Sequence, residues 1–311
     1  MSAQQRAALP ELARVFLRLG STAFGGPAAH TALLHQELVV QRQWLSEEQF
    51  LDLVSAANLI PGPNSTELVI HIGLQRAGYA GMLVAGLCFI APAMFSVLAL
   101  AAAYVRFGSL PAALALLAGM NEVGLLLPAV AAASALPFAP PVLFLVFLKI
   151  GAVLYGSGYV LLAFLRADLV VRLGWITERQ LLDAVAAGQL TPGPLFTSAT
   201  FIGYLLGGLP GAMLATLGIF LPAFIFVPFT QALLARLRST QGAAGLLVGV
   251  NAASLGLLAA VAGQLAWGLA GDPAGALLGV AALLLLLRTR ISASWLLLGG
   301  ALLGVLRGAL L

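Results

Sequence analysis

Charge is what this 311-residue sequence has least of: 8% of its residues are Asp, Glu, Lys or Arg, against roughly a quarter in a soluble domain. Such a chain cannot cover itself with a water-facing surface, so lipid must be the solvent for most of it. Cysteine is nearly absent. Cys88 stands alone in an apolar stretch, which excludes a disulfide framework and a thiolate metal site within one chain. His30, His35 and His71 show no H-x-x-x-H spacing and share no helical face with a carboxylate cluster, so no metal site is expected. A GxxxxGK[ST] loop is missing, which excludes an ATP-driven motor of that kind, and no cofactor is expected. The formal net charge is +4, yet the basic residues are scattered singly, not gathered as a groove for nucleic acid requires. Residues 1–15 hold Arg6, Glu11 and Arg14 without a continuous apolar core, so they do not read as a cleavable signal and the N-terminus is expected to be retained.

What is present is apolar. Residues with hydrophobic side chains make up 61% of the chain, and 79–105 and 203–235 contain no charge at all; each exceeds the roughly 20 residues of a membrane span. Further stretches run over 107–148, broken by Glu122 with Pro137, Pro140 and Pro141 as an internal turn, then over 239–271, 273–287 and 291–306.

The sequence repeats itself. FLRLG at 16–20 recurs as FLKIG at 147–151, a shift of 131. At that offset Trp44 falls on Trp175, Glu47 and Gln49 on Glu178 and Gln180, Asp52 on Asp183, and Pro61-Gly62-Pro63 on Pro192-Gly193-Pro194. With one residue removed the register continues through Gly73 and Gly203, Gly78 and Gly208, Gly81 and Gly211, Pro92 and Pro222, and Asn121 and Asn251. The expected fold is an all-α integral membrane protein of two homologous repeats, 1–137 and 138–311, the second with two extra C-terminal helices near 274–287 and 292–310.

Each repeat carries the same local signals. Ser46 with Gln49, and Thr177 with Gln180, have the capping-box spacing that starts a helix. Trp44 and Trp175 just before them suit the headgroup zone. Each helix then runs into a proline that lacks the N–H to continue it. Gly62 or Gly193 permits an unusual turn, and Pro63 or Pro194 suits the opening of the next helix. This predicts a helical hairpin broken at Pro-Gly-Pro, resuming for about three turns to Gly78 and Gly81, or Gly208 and Gly211. Re-entrant hairpins leave an odd number of spans per half, so the halves are expected to be inverted. Arg6, Arg106, Arg166 and Arg172 are then expected on one side, and Arg42, Arg76, Arg236, Arg238, Arg288 and Arg290 on the other, which the positive-inside rule puts inside.

Backbone broken at membrane depth must line a cavity or be buried in protein, so the two matched breaks mark the candidate site. Helices starting at Asn64 and Leu195 turn positive dipole ends toward it. Asn64, Ser65, Thr66, Thr191, Thr197 and Ser198 can donate hydrogen bonds to an oxyanion, or merely cap helix ends. Arg18 and Lys149 occupy equivalent positions in apolar helices, where a cation either meets an anionic substrate or snorkels to headgroups. Gly25, Gly26 and Pro27 thin the first helix for a ligand or for a neighbouring helix. Glu67, His71 and Glu122 are titratable groups in the first half alone, suited to proton coupling, although Glu67 and His71 can instead pair with each other or with Arg76. Small residues around Gly207, Gly208 and Gly211 permit a homodimer.

Gly26-Pro27, Trp44, Phe50, Pro61-Gly62-Pro63, Gly73, Gly78, Gly81 and Pro92 together resemble the signature of the chromate ion transporter family. The second half repeats it with Ser157-Gly158 in place of Gly26-Pro27, so the resemblance is to the long-chain, two-domain type. It implies export of chromate across the bacterial inner membrane, driven by the electrochemical gradient and giving chromate resistance, with sulfate as the look-alike substrate. Competing classes are a transporter or channel for another anion, such as sulfate or an organic anion, and an intramembrane enzyme. The last would need more than the Glu67 and His71 pair, and no enzyme is expected.

Overall fold

A computed structural model of the chain describes residues 3–24, 26–107, 139–154 and 158–237, together with Arg288. All regular structure among the described residues is helical. In chain order the helices are α1 (Ala3–Thr22), α2 (Gly26–His35), α3 (Glu47–Leu59), α4 (Asn64–Phe107), α5 (Pro140–Val153), α6 (Gly158–Leu165), α7 (Glu178–Leu190) and α8 (Ser198–Leu237). π-helical turns, Gln36–Gln41 and Arg166–Arg172, follow α2 and α6, and a 3₁₀ turn, Leu195–Thr197, leads into α8. The order of elements from α1 to α4 thus recurs from α5 to α8. Gly25, Glu122, Asn121, Asn251, Pro137 and the helices expected at the C-terminal end lie outside the described residues. Pro140 and Pro141 form the first turn of α5, where a missing N–H costs nothing.

Both capping boxes form. The Ser46 hydroxyl accepts from the Gln49 N–H and the Gln49 side chain accepts from the Ser46 N–H; Thr177 and Gln180 do the same.

Neither α4 nor α8 is one straight rod. Ala77 (φ −140°, ψ 24°) and Gly78 (φ 63°, ψ −154°) break α4, and Gly207 (φ −145°, ψ 22°) and Gly208 (φ 58°, ψ −150°) break α8. Twelve residues of continuous helix span about 18 Å, yet a Cβ placed on Gly73 would lie 2.6 Å from the Ala85 Cβ, and one on Gly203 would lie 2.7 Å from the Ala215 Cβ. Each first leg therefore doubles back against the second, and only glycine lets the backbones of Gly73 and Gly81, or Gly203 and Gly211, approach so closely. The second leg of α4 then runs about 43 Å, well beyond a hydrocarbon core about 30 Å thick.

The faces of these long legs are inverted relative to a water-soluble helix. Gly81, Ala85, Phe89, Ala93, Val97 and Ala101 form a mostly small, buried stripe, while Tyr79, Leu83, Leu87 and Phe95 stand outward. In α8 the outward residues are Leu209, Met213, Leu217, Ile225 and Phe229, the last 72% exposed. A contiguous outward stripe of large apolar side chains, present twice, is a lipid-facing surface, and the chain is a helical membrane protein.

Each half packs its first helix on its own long leg. Gly20 brings α1 against the Phe89 carbonyl, and Gly151 brings α5 against that of Ile219. Between halves, α4 and α8 lie antiparallel. Gly86 meets the Phe224 ring, the His71 Nε2 lies 3.3 Å from the Thr230 hydroxyl, and Tyr104 packs edge-on against Phe201 at 5.3 Å while donating to Asp183 at 2.8 Å.

The expected sidedness of the arginines needs one correction. Gln5 sits beside Gly78, and Glu11 accepts from both Arg42 and Arg76, so Arg6 belongs to the same end as Arg76. The doubling back of α4 at Gly78 causes this, because it returns the chain to where α1 began.

Candidate functional site

The two breaks are built from local constraints. A residue before proline is confined to extended backbone, and Ile60 (φ −104°, ψ 148°) and Thr191 (φ −88°, ψ 147°) obey. Gly62 (φ 138°) and Gly193 (φ 100°) then adopt a conformation that side chains disfavour. The Pro63 carbonyl accepts from the N–H groups of Thr66 and Glu67, and that of Pro194 accepts from Thr197, so each new helix opens at its second proline.

Each break is tied to the opposite half. The Gly62 N–H donates to the Leu154 carbonyl at 2.7 Å, and the Gly193 N–H donates to the Ala23 carbonyl at 2.8 Å. Ala23 and Leu154 follow the last residues of α1 and α5 and are equivalent in the repeat. One half's Pro-Gly-Pro therefore supplies a donor to the orphan carbonyls at the end of the other half's first helix.

This exchange brings both breaks to one cavity, lined by Pro27, His30, Pro63, Asn64, Ser65, Pro194, Leu195 and Phe196. Its volume is about 10 Å³, enough for one water.

The polar groups around it differ between halves. In the first, Asn64 donates to Asn58 at 2.6 Å, leaving its own carbonyl oxygen without a partner, and the buried Thr66 hydroxyl has none. Ser65 lies 3.2 Å from the His30 Nδ1, and the His30 Nε2 is 3.0 Å from the Ala23 carbonyl. A carbonyl only accepts, so Nε2 carries hydrogen and the Ser65 hydroxyl donates to Nδ1 of the neutral ring. In the second half the hydroxyls turn to their own backbone: Thr191 to Gly188, Thr197 to Pro194 and Ser198 to Leu195. There they act as local caps.

Arg18 and Lys149 are held away from the cavity lining. Arg18 pairs with Glu37, which also binds Arg42 at 2.6 Å; Lys149 pairs with Asp168 at 2.7 Å, and Asp168 also binds Arg172 at 3.0 Å. Glu37 and Asp168 are buried and equivalent in the repeat, while Arg18 and Lys149 are 54% and 49% exposed. Gly26 (φ 79°) opens α2, with open space where a side chain would sit. Glu67 and His71 are both fully buried, and they do not pair with each other. Neither Glu67 oxygen has a hydrogen-bond partner, the His71 Nδ1 has none, and Arg76 binds Glu11 and stacks on Trp44.

His30 and Phe196 are lining residues that sequence reasoning passed over. The signal at His30 was a histidine between alanines and threonine in a largely apolar helix after Gly26-Pro27, with leucine, Leu161, at the equivalent place in the second half.

Broken backbone among lipid-facing helices persists where it lines a path or pocket for a polar solute, and such architecture is that of a membrane transporter. The profile of the chromate transporter family matches residues 10–139 and again 141–305, and the chain belongs to that family. The two matches begin at the offset of the internal repeat. The chain is 29% identical to a chromate transport protein of Cupriavidus metallidurans over 97% of its own length and 94% of the relative's. It is 29% identical to one from Pseudomonas aeruginosa, over 83% and 81%, and 28% identical to a probable chromate transport protein of Synechococcus elongatus, over 70% and 74%. No solved structure matches the chain.

Proposed function

We propose that the chain is a secondary-active transporter that exports chromate across the bacterial inner membrane and so confers chromate resistance, binding its substrate between the Pro-Gly-Pro segments of its two halves. The observation that carries this reading is that Pro63 to Ser65 and Pro194 to Phe196, far apart in sequence, line one cavity at the starts of two helices, whose N-terminal ends suit an anion. Asn64, Ser65 and Thr66 supply polar groups from one side. Thr191, Thr197 and Ser198 supply them from the other once they release their own backbone carbonyls. Arg18 and Lys149, held by Glu37 and Asp168, attract the dianion toward the site. The names of the three relatives support chromate as the substrate.

A tetrahedral oxyanion is larger than the single water the cavity admits, so the two segments must separate for loading. The antiparallel pairing of α4 with α8 supports inverted repeats, 1–137 and 138–311, related by a pseudo-two-fold axis in the membrane plane, within a multi-pass chain. A homodimer through the Gly207, Gly208 and Gly211 stripe has less to work with, because Gly211 is buried against Gly203 within the chain.

The test is saturable uptake of labelled chromate and sulfate into liposomes holding the purified protein, with and without a membrane potential, for wild type and Pro61→Ala. Chromate flux lost in the variant is the expected result. Folded wild-type protein that moves no oxyanion would overturn the reading and turn attention to organic anions.

A further inference from the structure

Glu67 is the most isolated acid among the described residues: it is fully buried, and both of its carboxyl oxygens lack a hydrogen-bond partner. One oxygen lies against Gly62, so closely that a Cβ there would collide with it. The carboxyl thus touches the turn whose N–H ties the two halves together, two residues from cavity-lining Ser65.

The ionisable groups on the surrounding elements are engaged elsewhere or exposed. On α1, Glu11 binds Arg42 and Arg76, Arg18 binds Glu37, and Arg6 and Arg14 are exposed. On α2, His30 is bound to Ser65 and Ala23, and His35 to Glu47 of α3. Also on α3, Glu48 is exposed and Asp52 has a partner. On α7, Asp183 accepts from Tyr104, Glu178 binds Arg166 and Arg179 is exposed. Between Ser198 and Gln231, α8 offers no charged residue, only Tyr204. His71, one turn along the same helix, uses Nε2 on Thr230 and leaves Nδ1 without a partner.

A carboxylate shut off from bulk solvent, with no cation of the described residues beside it, is not sustained in an apolar interior, so in this conformation Glu67 holds a proton. We propose that Glu67 is the proton-binding site of the transporter, taking up one proton together with the anion and releasing it when the cavity opens. This inference rests on the anion-transport reading. A bound dianion beside the turn repels a carboxylate, so occupancy favours the protonated form, and protonation reciprocally favours occupancy. The proton comes from water on the side of entry, rides on one Glu67 oxygen and leaves to water on the far side. A dianion with one proton carries one net negative charge. A membrane potential of 100 mV, negative inside, drives that charge outward by about fifty-fold, whereas a pH unit opposing it is worth tenfold. Export therefore survives the coupling. The second half has Thr197 and Ser198 here, both satisfied by their own backbone, so the stoichiometry is one proton.

The experiment uses the full chain in liposomes with an entrapped pH dye and the potential clamped by potassium and valinomycin. Labelled sulfate is the probe, and chromate at mildly alkaline pH, where it is the dianion. In wild type, one proton is expected to accompany each anion, and a one-unit pH gradient, alkaline inside, is expected to give up to tenfold accumulation. In Glu67→Gln both are expected to vanish while labelled anion still exchanges for unlabelled. Wild-type flux without proton movement would overturn the coupling and leave the transport reading intact, and so would pH-driven accumulation by Glu67→Gln. Absence of any oxyanion flux by folded wild type would overturn the transport reading, and this one with it.

Discussion

Two glycines separate backbone strain from close packing, and replacing each by alanine measures the contact that joins the halves. Gly193 and Gly208 both have positive φ, 100° and 58°. A side-chain carbon added at Gly208 would meet no atom within 4 Å, whereas at Gly193 it would lie 2.7 Å from the Ala93 Cβ and 3.3 Å from the Gly20 carbonyl oxygen. Gly208→Ala therefore meets only the strain of a glycine-only backbone conformation (φ 58°, ψ −150°), about 1–3 kcal/mol. Gly193→Ala meets a strain of about 1–3 kcal/mol and an overpacking cost of about 1–3 kcal/mol, and it pushes the N–H off the Ala23 carbonyl. With about 2 °C of melting temperature per kcal/mol in a chain of this size, Gly208→Ala should lose about 2–6 °C and Gly193→Ala about 4–12 °C. The assay is thermal unfolding in detergent, followed by tryptophan fluorescence at one fixed scan rate because unfolding of such proteins is commonly irreversible. Equal losses in the two variants would refute the reasoning, since they would mean that the Pro-Gly-Pro turn does not press on α4.

Other substitutions probe the remaining contacts. Replacing outward Phe95 or Phe229 by lysine should cost about 2.5–3.5 kcal/mol if the residue faces mid-bilayer, read as loss of folded protein in membranes. A loss within about 0.5 kcal/mol would mean that these faces meet water. Ser46→Ala and Thr177→Ala should each cost about 1 kcal/mol in the same thermal assay, and a larger loss at one would show that the two capping boxes are not equivalent. A double-mutant cycle of Lys149→Met and Asp168→Asn should give a coupling of about 0.5–1 kcal/mol, small because the lysine is half in solvent. Zero coupling would discard the pair. Gly86→Val should drive a branched side chain into Phe224 and cost about 1–3 kcal/mol, with no loss if α4 and α8 do not meet there.

Local signals read well in the sequence because they depend on neighbours in the chain. The capping residues, the proline stops at Pro61 and Pro192 and the glycines that end the first legs all act within a few residues of themselves. The one-residue change of register was visible as well, but its cause was not. Pro63 is ten residues from Gly73, and Pro194 nine from Gly203. The second half opens with a 3₁₀ turn at Leu195–Thr197, rising about 2.0 Å per residue where the α-helix rises about 1.5 Å, so both segments span about 15 Å. The partners of Arg18 and Lys149 were hidden for a different reason. Glu37 and Asp168 stand at equivalent places in the two repeats, but nothing in a linear spacing of 19 residues says that a π turn will swing them back onto the first helix. The exchange of Gly62 and Gly193 onto opposite halves was beyond sequence reasoning altogether, since it is a contact of backbone with backbone and leaves no mark on side-chain identity.

That exchange bears on how such a molecule could open. Because Gly62 holds Leu154 and Gly193 holds Ala23, each hairpin is fastened to the helix of the half it does not belong to. Moving one half as a rigid body therefore strains both fastenings together, and the two halves are tied at their breaks by a matched pair of backbone hydrogen bonds, each worth about 1 kcal/mol net. Such weak, symmetric ties suit the proposed transport, which needs opening to either side at similar cost. Side chains share the symmetry only in part: Arg18 and Glu37 match Lys149 and Asp168, but Glu67, His30 and His71 have no counterparts in the second half. The proposed coupling therefore falls to the first half, where Glu67 lies against the Gly62 turn that fastens the two halves together.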